Sequence, residues 1–267
     1  MKRALILLAA IALLASGCSA AKTTGAEPAG VKPDEVKPNA AESTVAKSTQ
    51  ASRVSPEISW RQSGIGYPLT SDDPRAKGKK VVMLTFDDGP AAEKDGGATA
   101  QILDILKREN IKATFFVTGY GARNQALLKR EIAEGHTVGT HTVTHPNLSK
   151  LQTKEAIEKE ILPVNALVEK LTGKPVKYFR PPFGMYNDPH GYVKEVARER
   201  EFEIINWTTG SLDWQYRDPA KVTDQVLKTI MPGGIVLMHD THKWTAEALP
   251  MIIKGLREKG YEFVTIR

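Results

Sequence analysis

The chain has one cysteine in 267 residues, Cys18. No intramolecular disulfide framework can staple it, so a folded domain here must rest on its hydrophobic core. A membrane-spanning run is missing as well: the long apolar stretch from Ala4 to Ala15 falls short of the ~20 residues that a transmembrane helix needs. Aromatic residues make up only 7% of the chain and are not interleaved with a basic stripe, which argues against nucleic-acid binding. The excess of one charge sign is also slight. Of the formal +6, Lys2 and Arg3 supply two, residues 19–58 supply none and residues 59–267 supply four, as solvated surface lysines would. Internal repeats are absent. Hydrophobic residues at 41% and charged residues at 25% do allow one domain with a substantial core.

Against this background, carboxylates and imidazoles cluster. Residues 81–90 form an apolar run that ends in Asp87 and Asp88, followed by Gly89 and Pro90. Two adjacent like charges closing a buried strand are costly unless a cation or a division of labour holds them, although an acidic turn is the plain alternative. Residues 135–146 hold three of the six histidines: His136, His141 and His145. The stretch is rich in Thr and Val and meets Pro146 directly after the last His, so it reads as a strand entering a tight turn. Such a turn would bring His141 and His145 together as neutral imidazole ligands, with Asp87 or Asp88 completing a three-ligand site. Two hydrogen-bonded core histidines are the alternative.

Five segments, taken in order, resemble the motifs of the polysaccharide deacetylases, carbohydrate esterase family 4. They are Thr85 to Gly89, His141 to His145, Arg180 to Gly184, Ser211 to Trp214, and Ile235 to Asp240. The resemblance covers residues 79–267 and implies a metal-dependent hydrolase that removes N-acetyl groups from an amino-sugar polymer. It implies Asp88, His141 and His145 as ligands of a divalent metal, zinc first, and Asp87 as the general base. It implies His239 as the general acid, with Asp213 holding its tautomer, and the Phe183 N–H as an oxyanion donor. Arg180 is expected to hold the Asp87 carboxylate bidentately, and Trp214 and Leu237 to line a pocket for the acetyl methyl. One departure stands out: many relatives carry an Asp three residues before the Asp-Trp pair, where this chain has Gly210.

The N-terminus begins with two cations, an apolar run, and Ser16-Gly17-Cys18, which has the form of an export signal. The small residues before Cys18 resemble a bacterial lipobox, implying a lipidated Cys18 after cleavage; ordinary cleavage after residues 18–20 is the alternative. Residues 19–58 carry almost no large apolar side chain and are expected to be a tether, spreading over roughly 35 Å as a random coil. The expected organisation is a lipoprotein signal peptide over 1–18, a tether over 19–58 and a catalytic domain over 59–267.

Within that domain, seven strand-like runs begin near Val81, Ala113, His136, Val176, Phe202, Ile235 and Tyr261. Helical stripes lie between them, clearest over 153–171, where Ile157, Ile161, Val164, Val168 and Leu171 recur at spacings of three and four and Pro163 is a possible kink. Alternating strands and helices predict an α/β fold, a distorted (β/α) barrel with about seven parallel strands, or an open doubly wound sheet. All five motifs fall at the C-terminal ends of these strands, where parallel barrels assemble their sites. The expected partners are a carbohydrate polymer and, through the lipid anchor, the outer side of a bacterial membrane. Peptidoglycan N-acetylglucosamine is the first substrate. Chitooligosaccharide, exopolysaccharide, xylan and an inactive wall-binding lipoprotein are the alternatives; the oligomeric state is not legible.

Overall fold

The computed structural model describes residues 57–91 and 97–266. The expected export signal with Cys18, and the expected tether up to residue 56, lie outside the described residues. Ile58, assigned above to the tether, packs against the core, so the folded unit begins at or before that residue.

The core is built on β3 (Lys80–Asp87), whose seven residues after Lys80 are all buried. On one side it pairs with β4 (Thr114–Val117), then β5 (Thr137–Thr140), β6 (Tyr178–Phe179) and β7 (Glu203–Ile204). On the other it pairs with β9 (Gly234–His239) and then β8 (Thr209–Gly210). These seven strands are parallel and curl into a half-barrel, the distorted (β/α) barrel expected above. A further parallel strand, β10 (Tyr261–Phe263), pairs with the start of β3. An antiparallel hairpin, β1 (Arg61–Gln62) with β2 (Leu69–Thr70), stands apart from the sheet.

Period-two alternation sorts the strand residues into two layers. Val81, Met83, Phe116, Tyr178, Ile205 and Ile235 pack together inside the barrel. Val82, Leu84, Phe86, Val236 and Met238 face the other way, against apolar stripes of α1 (Ala98–Arg108) and α7 (Lys243–Glu258). The outer layer also includes α2 (Gln125–Ala133), α3 (Lys154–Thr172) and α6 (Pro219–Thr229), while α4 (Tyr192–Glu199) packs into a third cluster with α3. Thr153 caps α3 by accepting from the Ala156 N–H, and the helix continues through Pro163, which lies on its exposed face. Burial of Ile157, Ile161, Val164 and Val168 follows the predicted stripe; each such side chain contributes about 1.5–3 kcal/mol.

The run expected from Phe202 to Trp207 is not one strand. Its start pairs with β6 as β7, and the chain then crosses to the opposite edge, where Thr209 and Gly210 pair with Val236 and Leu237 of β9. Ile205 donates its N–H to the Phe179 carbonyl, and Thr208 donates its own to the Ile235 carbonyl. One extended segment therefore serves both edges and bends the sheet around the interior. Strands of two residues carry no periodicity, which is why β8 and the hairpin are absent from the sequence reading.

Candidate active site

The site lies where β3, β5, β6 and β9 end. In the sheet register Asp87 stands opposite Phe116 on one side and His239 on the other, so Asp87 and His239 project from adjacent strands on one face. Asp88 follows at φ 75°, a left-handed conformation that turns its side chain away from the strand. Gly89 then lies so close to Asp240 that a Cβ would overlap its carboxylate, so only glycine lets the turn settle there. Of the eight non-glycine residues with positive φ among the described residues, Asp88, Thr142, His145, Phe183 and Leu212 lie in the five motifs. Local backbone strain is thus concentrated around this cleft.

His141 and His145 leave the end of β5 on a turn that brings their rings to 4.9 Å between centroids. Glu160, on α3, organises that turn: its carboxylate accepts from the N–H groups of Val143 and Thr144 and from the Thr144 hydroxyl. The Nδ1–H of His141 donates to the Arg180 carbonyl at 2.6 Å, which leaves the Nε2 lone pair facing Asp88. Burial pushes the His141 pKa down to about 3, so the ring is neutral.

The Nε2 atoms of both histidines lie 3.6 Å from Asp88 Oδ1. Among the described residues, Asp88, His141 and His145 have donor atoms within 4.8 Å of one another. Asp88 Oδ1 is buried without a hydrogen-bond partner. An orphaned carboxylate oxygen facing two imidazole nitrogens suits a divalent cation, since an ion would satisfy all three atoms at once.

Asp87 is held differently. Arg180 Nη1 donates to its Oδ1 at 2.8 Å, while Oδ2 turns toward the cleft, 3.6 Å from His141 Nε2. This corrects the bidentate clamp expected above. The guanidinium lies over the Phe116 ring, 4.1 Å from its centroid, and spends its other donors on Thr85 Oγ1 and on the carbonyls of Ile205 and Asn206. Arg180 is wholly buried, so it forms part of the barrel interior as much as of the site. Burial pushes the Asp87 carboxyl above the usual carboxylate range, and the charges of Arg180 and His239 pull against it.

On the far side, Asp213 opens the short helix α5 (Asp213–Tyr216) and is fully buried. Its Oδ1 accepts from His239 Nδ1 at 2.7 Å, and its Oδ2 accepts from the His239 N–H and the Thr245 hydroxyl. Burial alone would lower the His239 pKa, yet the hydrogen bond and charge of Asp213 outweigh it and push the value up to about 9. Burial likewise opposes the Asp213 charge, but its hydrogen bonds hold the carboxyl below the usual range.

Two exposed aromatics flank the cleft: Phe183 is 61% exposed with its ring 4.8 Å from His145, and Trp214 is 55% exposed. Leu237 is buried on β9 beneath His239. The structure therefore brings the expected site residues that lie among the described residues to one mouth of the barrel.

It also adds residues that the motifs did not single out. Thr85, Glu160 and Thr245 orient Arg180, the His141–His145 turn and Asp213, and Trp244 Nε1 donates to the Asp213 carbonyl. His242 lies 5.6 Å from His239 and stacks on Trp244 at 4.7 Å. The spacing of His239 and His242 is a visible signal, whereas Glu160 is one polar residue among many on a helix surface.

Residues 75–205 match the polysaccharide deacetylase family model. A peptidoglycan N-acetylglucosamine deacetylase of Bacillus cereus is 40% identical over 70% of this chain and 69% of its own. The chain belongs to the polysaccharide deacetylase family. The Listeria monocytogenes protein named for the same activity is 45% identical over 72% of this chain, which spans only 39% of that longer relative. Among solved structures, a polysaccharide deacetylase from Bacillus cereus superposes with a TM-score of 0.64 at 37% identity, covering 71% of this chain and 93% of its own.

Proposed function

We propose that this polysaccharide deacetylase is a divalent-cation-dependent N-deacetylase of an envelope amino-sugar polymer, with peptidoglycan N-acetylglucosamine as its substrate. The observation that carries the reading is the pairing of Asp87 and His239 in register beside the converging Asp88, His141 and His145. The names of the relatives support the polymer. The two-histidine, one-carboxylate set suits zinc among the divalent cations.

A bound cation would supply positive charge that acidifies water and polarises the amide carbonyl. The chain does the rest. Asp87, anchored through Oδ1 by Arg180, offers Oδ2 to accept a proton from the attacking water. The Phe183 N–H, on the turn after β6, would donate to the developing oxyanion. Amide cleavage requires protonation of the departing nitrogen, and His239 carries that proton with Nδ1 locked on Asp213. Trp214 and Leu237 line the acetyl methyl.

Export, with lipid anchoring at Cys18, would place this cleft on the outer side of the membrane, where the polymer is. Among the described residues no helix is long and apolar enough to cross a membrane. The substrate assignment is tested by treating purified peptidoglycan with the full chain and locating the new free amine by mass spectrometry. It should appear on glucosamine. Amine on muramic acid would reassign the sugar, and none on either would refute the reading.

A further inference from the structure

Gly210 is a glycine without a local reason to be one. Its φ is not in the left-handed region, and a Cβ added there meets a single heavy atom within 4 Å, Trp207 Nε1 at 3.9 Å. Gly139 on β5 shows the contrast, since an added Cβ there would lie 2.8 Å from the Phe116 ring. The direction of the empty space follows from the register. On β9, Val236 and Met238 face the outer layer, while Ile235, Leu237 and His239 face the interior and the cleft. Thr209 pairs with Val236 and turns its hydroxyl to the Thr229 carbonyl of α6, outside the barrel. Gly210 pairs with Leu237, so the side chain it lacks would point inward, at the level of Leu237 and one step below His239. Gly210 is half-buried, so the space beside it is not filled by neighbouring side chains.

We infer that Gly210 deepens the acyl pocket beside Leu237 and Trp207, so that the chain hydrolyses N-acyl groups one heavy atom longer than acetyl, N-propionyl and N-glycolyl. This rests on the deacetylase reading above. The added methyl or hydroxyl occupies the space beside Gly210, and the glycolyl hydroxyl accepts from Trp207 Nε1–H. The reaction is otherwise unchanged: water adds its oxygen to the acyl carbon, the C–N bond breaks, and the nitrogen leaves as an amine with the proton from His239. One carboxylic acid is released per free amine. A single carbon in such a pocket typically alters selection by roughly 10–200-fold, so the effect is measurable.

The test uses the full chain loaded with zinc and peptidoglycan that has been chemically N-deacetylated and re-acylated with N-acetyl, N-propionyl or N-glycolyl groups, with acid and amine release both measured. The expected kcat/KM for the two longer groups lies within about tenfold of that for acetyl. Gly210→Ala and Gly210→Val should lower the longer-to-acetyl ratio by a further factor of about ten or more. Hydrolysis of acetyl with the longer groups slower by a hundredfold or more would overturn the inference and leave the deacetylase reading standing; this comparison needs no variant. Release from none of the three would overturn the deacetylase reading itself, and the inference with it.

Discussion

Asp87 and Asp88 share a peptide bond and almost nothing else. The first is buried, anchored by Arg180 and in register with His239, whereas the second leaves the strand at positive φ with one oxygen aimed at two imidazoles. The proposed division of labour rests on backbone geometry, since the strand ends between them. Asp87→Asn should therefore keep cation binding in a calorimetric titration and lose activity by roughly 10²–10⁴-fold, the range for a general base. Asp88→Asn should lose the cation itself; the reverse pattern would exchange the two roles. At this scale the sequence was highly legible, because adjacent acids and clustered histidines are rare enough to stand out. The single-point geometry of Arg180 was not legible, because it depends on Phe116 and on backbone carbonyls from a different part of the chain.

Each element delivers its motif to the same mouth because the strands are parallel, and that followed from alternating strand-like runs and helical stripes. Long runs such as β3 and the stripe of α3 announced themselves, whereas the crossing from β7 to β8 could not, since two residues display no period. Pairing of Thr209 and Gly210 with β9 is a property of the folded sheet. The role of α3 was also half visible: its buried face was predicted, but not the use of Glu160 on another face to gather the backbone after β5. Glu160→Ala leaves the apolar stripe intact and removes the acceptor of the Thr144 N–H and hydroxyl in the His141–His145 turn, while the Val143 N–H keeps the backbone carbonyl of residue 160. Cation affinity should fall by about 10–100-fold, as for other groups that orient metal ligands, with little change in helical content by circular dichroism. Unchanged affinity would mean that the turn holds its shape without α3.

At the scale of the whole molecule, the His239–Asp213 pair links stability to pH. His239 has its pKa raised from 6.5 to about 9, so the folded state binds a proton that the unfolded chain has released over that interval. The contribution is fully present below about pH 6.5 and is lost as pH rises through about 9. Urea midpoints should therefore fall across this range, and His239→Gln should flatten the decline; an equal slope in the variant would show that other groups set it. The central claim is that the five motifs form one cation-dependent deacetylase site. Its most direct test is acetate release from peptidoglycan by the full chain after chelation and after zinc is returned, with Asp87→Asn in parallel. The account predicts no release after chelation, recovery with about one zinc per chain and release slower by roughly 10²–10⁴-fold in the variant. Release that survives chelation, or that proceeds in Asp87→Asn at close to the unsubstituted rate, would contradict it.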